Sequence, residues 1–213
     1  ESEKLTMLMH TRAIQATRTA GLWKALALAT AGAAALALLS QVTIMKLPVP
    51  VTLQTLGVVL LAALLGPRLA AAAVAEYLLL GVSGAPVFSS GHSGPAWLFG
   101  PTGGYLWGFL PAALLGGMLF ARIRTASYGL RLAGMALAGA ITILTLYLPG
   151  WVWLSVWFHL LHGEAGMPAM RMAFTTGIAP FILLDLAKVA VAAAALALRA
   201  PREVSCCASS ESH

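Results

Sequence analysis

The stretch that decides the fold is YLLLGVSGAPVFSSGHSGPAWLFGPTGGYLWGFLPAALLGGMLFA, residues 77–121, which contains no Asp, Glu, Lys or Arg. A membrane-spanning helix needs about 17–25 predominantly apolar residues, so the run is long enough for parts of two helices. A cluster of Gly, Ser and Pro at 83–104 interrupts it. Such residues favour turns and loops. The stretch therefore predicts two membrane helices joined by a Gly-rich loop.

The composition of the whole chain supports a membrane protein. Of its 213 residues, 60% are hydrophobic and only 9% are charged, and the mean hydropathy is +0.87. Soluble domains carry about 25% charged residues, so this chain lacks the charge to cover a core in water. A soluble globular enzyme is therefore excluded. Cys206 and Cys207 are adjacent, which suits neither an ordinary disulfide nor a zinc site, and no cofactor is predicted.

Charge-poor runs predict an all-α membrane protein with six transmembrane helices. The predicted helices are 25–45, 47–67, 69–81, 103–121, 132–148 and 180–198. Pro149-Gly150 is expected to end the fifth, and the Trp-rich segment after it is typical of a membrane interface. The domain organisation expected is a cytoplasmic tail at 1–19, a transmembrane domain at 20–199 and a disordered tail at 200–213.

The positive charges predict the orientation, because cytoplasmic loops carry an excess of Lys and Arg. With six helices, ten of the 13 basic residues fall on the side of both termini, and only Lys46 and Arg171 fall on the other. Both termini are therefore expected in the cytoplasm. This distribution also explains the pI of about 9.8 without a nucleic-acid partner. The remaining basic residue, Lys188, lies within the sixth helix.

Three ionisable residues are expected at membrane depth, namely Glu76, Asp185 and Lys188. Each costs roughly 2.5–3.5 kcal/mol at the centre of a spanning helix, so a chain that keeps them is expected to use them. Asp185 and Lys188 are spaced i, i+3 and share a helical face, where they can neutralise each other. The pair either captures a ligand or forms a salt bridge that ties the sixth helix to its neighbours. Glu76 has no visible partner, and a functional carboxyl and a merely tolerated one stay equally open.

Two other segments are candidates for a pocket. The external loop 84–94 offers hydroxyls, close-approaching Gly backbone and Phe88, with Trp97 as a second stacking surface, and it suits a neutral, amide-like ligand. It is otherwise a connector shaped by turn chemistry. The segment 48–55 places polar side chains in the first turn of the second helix. These either complete a pocket with the loop and Asp185 or satisfy the helix N-terminus.

Small residues predict close helix packing. Gly100, Gly104 and Gly108 recur every fourth residue, which favours helix contact over phosphate binding. Ala25, Ala29, Ala33 and Ala37 form a similar ridge on the first helix, and it serves either a partner protein or packing within the chain. No Lys follows a Gly, so a Walker A loop is excluded and any ATP energy has to come from a partner.

Six strings in this order resemble the BioY family, the biotin-specific substrate-capture (S) subunits of energy-coupling factor (ECF) transporters. The resemblance covers 20–198, and one departure is Leu183-Leu184 before Asp185, where many members have Pro-Gly. The strings are PVPVTLQT (48–55), LGPR (65–68), YLLLG (77–81), PVF (86–88), GPTGGY (100–105), and PF (180–181) followed by Asp185 and Lys188.

The resemblance implies the six-helix S-component fold in the bacterial plasma (inner) membrane, with biotin bound from outside and no enzymatic activity. It implies that Asp185 and Lys188 hold the ligand. It also implies that the alanine ridge docks a membrane coupling subunit (T component) that carries two ATP-binding subunits, although some members work as self-oligomers. The candidate biotin-binding residues are Thr52, Gln54, Phe88, Ser90, Gly91, Tyr105, Asp185 and Lys188, and the candidate interface residues are Ala25, Ala29 and Ala33.

Two alternatives accompany this interpretation. One is an S component for another small vitamin-like ligand, because fold alone does not set the ligand. The other is an intramembrane serine protease, since 91–94 reads Gly-His-Ser-Gly and places Ser93 in a Gly-x-Ser-Gly motif, with His159 and His162 downstream. A four-residue motif is a weak signal, and here it lies in a loop.

Overall fold

Seven α-helices and one short strand pair make up the described part of the computed structural model, which is residues 2–45, 49–123, 128–163 and 166–199. Five of the described helical segments are long and apolar enough to cross a membrane. The helices are α1 (Ser2–Gln41), α2 (Gln54–Val82), α3 (Ala96–Phe99), α4 (Gly103–Ile123), α5 (Tyr128–His162), α6 (Met167–Gly177) and α7 (Ala179–Arg199), with a 3₁₀ turn at Ser89–Gly91. The strands are β1 (Thr43–Met45) and β2 (Val51–Thr52), which pair antiparallel.

The predicted ends of the helices are partly right. Helices α4 and α7 begin and end within two residues of the predicted 103–121 and 180–198. Helix α1 already includes residues 2–19, the predicted tail, and the predicted tail 200–213 lies outside the described residues. The predicted first helix ran to residue 45, whereas α1 ends at Gln41 and β1 follows. The β-branched residues of Val42-Thr43-Ile44 favour the strand that pairs with β2.

Helix α2 contains the second and third predicted helices, and Gly66 separates them. Gly66 has φ 77° and ψ 177°, a backbone conformation that essentially only glycine adopts. The amide Nε2 of Gln54 donates a hydrogen bond of 2.6 Å to the hydroxyl of Tyr77. In a straight helix these residues would lie about 35 Å apart. The chain therefore folds back at Gly66 into a first arm (54–65) and a second arm (67–82).

The predicted end of the fifth helix at Pro149-Gly150 is wrong, because α5 continues through both residues to His162. Proline lacks an N–H and usually breaks a helix, but membrane helices tolerate it where neighbouring groups compensate. The Trp-rich segment is therefore helical. Trp153 donates its indole N–H to the carbonyl of Gly100 at 2.9 Å. Trp151 donates its indole N–H to the carbonyl of Met170, also at 2.9 Å. These two residues fasten α5 to the loop before α4 and to α6.

Glycine packing between α4 and α5 confirms part of the prediction. A Cβ on Gly108 would lie 2.7 Å from the carbonyl oxygen of Leu146, and one on Gly104 would collide with the side chain of Trp153. Both glycines therefore allow α5 to approach α4 closely. Gly100 makes no such helix contact and instead accepts the hydrogen bond from Trp153.

The alanine ridge of α1 faces the interior of the chain. Ala29 and Ala33 are 5% and 1% exposed and belong to the buried core, and Ala25 is half-buried. The prediction that Ala29 and Ala33 present a surface to a partner is therefore wrong, and intrachain packing is the alternative that the structure has. Between residues 21 and 41 of this helix, the exposed alanines are Ala27, Ala31 and Ala34. In an Ala-rich helix many faces carry small residues, so packing alone decides which one is covered.

The fold-back at Gly66 gives a testable prediction. We expect Gly66→Ala to lower the free energy of unfolding by about 1–3 kcal/mol, because a side chain strains the backbone at this φ and ψ. A Cβ at Gly66 meets no atom within 4 Å, so the effect isolates conformational strain. The matched control is Gly21→Ala, also without contacts but helical, which is expected to be neutral or slightly stabilising. Equilibrium unfolding in detergent micelles measures both, and equal stability of the two variants would contradict the prediction.

Candidate functional site

One cavity collects most of the polar side chains that the sequence singles out. It lies where the start of α2, the Gly-rich loop, and α4, α5 and α7 meet, and it encloses about 610 Å³, counting the space at its open mouth. Five predicted residues line the cavity, namely Thr52, Gln54, Phe88, Tyr105 and Asp185. Four separate segments of the sequence therefore converge on one site, namely 48–55, 84–94, 100–105 and the last helix.

The predicted ion pair forms at the wall of this cavity. Lys188 Nζ lies 2.7 Å from Asp185 Oδ1, and the two side chains are only 11% and 2% exposed. Asp185 Oδ1 also accepts a hydrogen bond of 2.8 Å from the hydroxyl of Thr55, and Oδ2 accepts one from the hydroxyl of Tyr147. Lys188 in turn donates to the carbonyl oxygen of Thr52 at 2.9 Å. Asp185 thus lines the cavity, and its contacts tie α7 to α2 and α5.

A second series of hydrogen bonds runs from β2 into the first arm of α2. Thr52 donates its hydroxyl to Gln54 Oε1 at 2.8 Å, and its oxygen accepts the backbone N–H of Gln54 at 3.3 Å. Gln54 Nε2 then donates to Tyr77. Thr52 and Gln54 therefore line the cavity, and the Thr52 hydroxyl also accepts one backbone N–H at the start of α2.

Aromatic rings form much of the remaining wall. Phe88 is 1% exposed and packs edge-on against Tyr77, with ring centroids 5.6 Å apart. Its carbonyl oxygen accepts a hydrogen bond of 3.1 Å from Gln41, which anchors the Gly-rich loop to α1. Tyr105 donates its hydroxyl to the carbonyl of Gly177 at 2.9 Å. The ring positions are thus set by hydrogen bonds as well as by packing.

Lys188 contacts Asp185 but does not itself line the cavity, and two further predicted residues, Ser90 and Gly91, do not line it either. Both are exposed and have positive φ, 59° and 75°, in the 3₁₀ turn. They shape the loop whose neighbouring residues, Phe88 and Ser89, reach the cavity. Trp97, proposed as a stacking surface, also lines it.

Several lining residues were missed as binding candidates. Tyr147 lies in the middle of an apolar span, and its hydroxyl needs a hydrogen-bond partner there, which is a signal that could have identified it. Thr55 and Phe181 lie in the strings that resemble the BioY family but are not among the predicted binding residues, and Phe109 has no distinguishing sequence signal. Thr102, from the glycine string, also lines the cavity.

Glu76 has a partner after all, so the expectation that it lacks one is wrong. The hydroxyl of Thr30 on α1 donates to Glu76 Oε1 at 2.8 Å. Glu76 is half-buried and does not line the cavity. Its contact therefore fastens the second arm of α2 to α1, away from the site of Asp185.

Comparisons with known proteins identify the fold and the family of the chain. The chain resembles the crystal structure of the S-component for biotin from an ECF-type ABC transporter, with a TM-score of 0.68, 23% identity and coverage of 84% of this chain and 91% of that one. At this identity the likeness shows the fold, which is that of an S component. The profile of the BioY family matches residues 9–205.

Curated relatives carry the same family name. A probable biotin transporter BioY of Pyrococcus horikoshii is 33% identical over 72% of this chain and 82% of the relative. The biotin transporter BioY of Thermotoga maritima is 38% identical over 68% and 78%, and that of Rhodobacter capsulatus is 40% identical over 67% and 74%. The chain belongs to the BioY family. It is a multi-pass membrane transport protein and not an enzyme, which removes the serine-protease alternative.

The ion pair gives a prediction about stability. We expect Lys188→Met to lower the free energy of unfolding by about 3 kcal/mol, because it leaves Asp185 buried without a counter-charge. The double variant Asp185→Asn/Lys188→Met should recover most of this loss, since a neutral Asn needs no counter-charge and can still meet Thr55 and Tyr147. The free energy of unfolding of the two variants and the wild type, measured in mixed detergent micelles, checks this. A double variant as unstable as the single one would rule out the electrostatic explanation.

Proposed function

We propose that the chain is the biotin-capturing S component of an ECF transporter. The observation that carries the proposal is the convergence of the Asp185–Lys188 pair, the start of α2 and the Gly-rich loop on one cavity, in a chain of the BioY family. Relatives of this family are named as biotin transporters. Any ATP energy for import then comes from partner subunits, because the given sequence contains no Walker A loop.

The chemistry of the cavity suits biotin. The ureido N–H groups of the ligand are donors, and the buried carboxylate of Asp185 is the acceptor that they require, with a charge-assisted hydrogen bond strengthened by burial. Lys188 pairs with this carboxylate at 2.7 Å and orients it. The apolar ring system of biotin then packs against the aromatic wall that includes Phe88 and Tyr105, while Thr52 and Gln54 border its polar atoms. Ser90 and Gly91 shape the loop at the mouth.

The proposed topology has six membrane crossings. The two arms of α2 count as two, and α1, α4, α5 and α7 supply the others. Gly117, near the end of α4, lies against Pro67 at the fold-back, so these two turns share one side of the membrane. Arg68 and Arg122 lie beside them, which favours the cytoplasm for that side. Both termini then lie in the cytoplasm of a bacterial cell, and the cavity opens to the outside of its plasma membrane.

A coupling subunit requires a contact surface, and the exposed face of α1 supplies one. Ala27, Ala31 and Ala34 are exposed on this face and allow another helix to approach closely. We assign this face, in place of the buried Ala29 and Ala33, to the membrane T component that carries two ATP-binding subunits. A second copy of the chain is the alternative occupant if the protein works without a dedicated T component.

Binding of labelled biotin to the purified protein tests the function. We expect the wild type to bind and Asp185→Asn to raise the Kd about tenfold or more, because it replaces a charge-assisted hydrogen bond by a neutral one. The matched control is Glu76→Gln, which changes the same functional group at membrane depth but outside the cavity, and its Kd should stay within about twofold. Absence of wild-type binding would refute the function, and equal effects of the two variants would refute the site.

The assignment of the α1 face is tested by a bulky substitution. We expect Ala31→Trp to leave biotin binding unchanged but to reduce biotin uptake by cells that express the coupling subunits, because the larger side chain blocks close helix approach. Val191→Trp on α7, a residue that is 69% exposed, is the control and should preserve both. Uptake by the Ala31→Trp variant at the wild-type rate would show that the partner docks elsewhere.

A further inference from the structure

The hydroxyl of Thr102 is buried at the cavity without a hydrogen-bond partner. Thr102 precedes α4, is 9% exposed and lines the cavity. Its Oγ1 atom makes no hydrogen bond in the structure. A buried hydroxyl that gives up water without gaining a partner is destabilising, so such groups are uncommon in folded proteins.

Most of the other side chains with oxygen atoms around Thr102, Ser89 apart, have a hydrogen-bond partner within the protein. Six more of the described lining residues carry side-chain oxygens with an assigned hydrogen bond, and those bonds join them to other parts of the protein. They are Thr52, Gln54, Thr55, Tyr105, Tyr147 and Asp185. Their hydrogen bonds hold the cavity wall together, whereas the hydroxyl of Thr102 makes no such bond and is available to a ligand.

The position of Thr102 would normally provide an internal partner. A threonine at the start of a helix usually accepts a backbone N–H with its side chain. Here the N–H groups of Tyr105 and Leu106 both bond to the backbone carbonyl of Thr102, at 3.1 Å and 3.3 Å. The turn itself is held in place by Gly100, whose carbonyl accepts the N–H of Gly103 at 3.0 Å and the indole of Trp153. The hydroxyl is therefore held at the cavity wall but not used as a cap.

We infer that Thr102 Oγ1 donates a hydrogen bond to an oxygen atom of the ligand in the cavity. An oxygen acceptor is favoured because the N-terminal end of a helix, here α4, carries a partial positive charge. The inference rests on the proposed function, under which this oxygen belongs to the carboxylate or to the ureido carbonyl of biotin. Thr102 is thus a specificity-determining residue beyond the Asp185–Lys188 pair. Its hydroxyl contributes to ligand affinity but not to the stability of the ligand-free protein.

The test compares Thr102→Val with Thr102→Ser in biotin binding and in thermal unfolding of the ligand-free protein. Val keeps the shape of Thr and removes the hydroxyl. We expect Thr102→Val to raise the Kd for biotin about fivefold to tenfold, and Thr102→Ser to stay within about twofold. The unfolding midpoint of ligand-free Thr102→Val should equal or exceed that of the wild type, because no internal hydrogen bond is lost.

A matched control distinguishes a ligand contact from a structural role. Thr142 is also buried, but its hydroxyl donates to the carbonyl of Ala138 at 2.7 Å and it does not line the cavity. Thr142→Val should leave the Kd unchanged. Wild-type affinity in Thr102→Val would overturn the inference, and so would a lower unfolding midpoint of that variant, which would indicate a structural hydroxyl.

A third arm uses biotin methyl ester as the probe. If Thr102 donates to the carboxylate, Thr102→Val should weaken binding of the ester less than binding of biotin, since the charge-assisted hydrogen bond is absent from the ester. If it donates to the ureido carbonyl, the loss should be equal for both, and either result supports the inference. Failure of the wild type to bind biotin would overturn the proposed function itself, which distinguishes that failure from the failure of the inference alone.

Discussion

The constraint on which the site depends is that a carboxylate inside a membrane helix has to be neutralised and hydrogen-bonded. Asp185 meets this requirement with groups from three helices: Lys188 on its own helix, Thr55 on α2 and Tyr147 on α5. A buried ion pair is stable only when its remaining lone pairs and protons are satisfied as well. Meeting this requirement draws the start of α7 against α2 and α5. The cavity forms at this junction, so the interaction that holds the helices together also supplies its polar wall.

The rest of the architecture brings the polar groups within reach of one another. The fold-back at Gly66 returns the second arm of α2 to the first, which places Tyr77 beside Gln54 and gives the Gly-rich loop its starting point near the cavity. Gly104 and Gly108 allow α5 to approach α4, which brings Tyr105 and Tyr147 together with ring centroids 6.3 Å apart. Glycine therefore acts twice, once through its backbone freedom and once through its small volume.

The sequence predicted what depends on local spacing and failed where distant groups compensate. The Asp185–Lys188 pair was predictable because helix geometry puts i and i+3 on one face. The bounds of α4 and α7 were predictable for a similar reason, since Gly-rich or Pro-containing starts precede predominantly apolar runs. The prediction that the fifth helix ends at Pro149 failed, because the hydrogen bond that proline cannot make is tolerated within the packed helices. The first helix has small residues on several faces, so its periodicity could not show that Ala29 and Ala33 are buried.

The sequence by itself determined that the chain is a helical membrane protein, that it resembles the BioY family, and that a charge pair lies in its last helix. Composition, apolar run length and local spacing are enough for these conclusions, because lipid tolerates few alternatives for a polar backbone. Only the tertiary structure decided which residues share the cavity. Thr55 and Tyr147 lie 130 and 38 residues from Asp185 along the chain, and Thr102 comes from yet another segment. Their meeting depends on helix packing between distant segments, which no local pattern records.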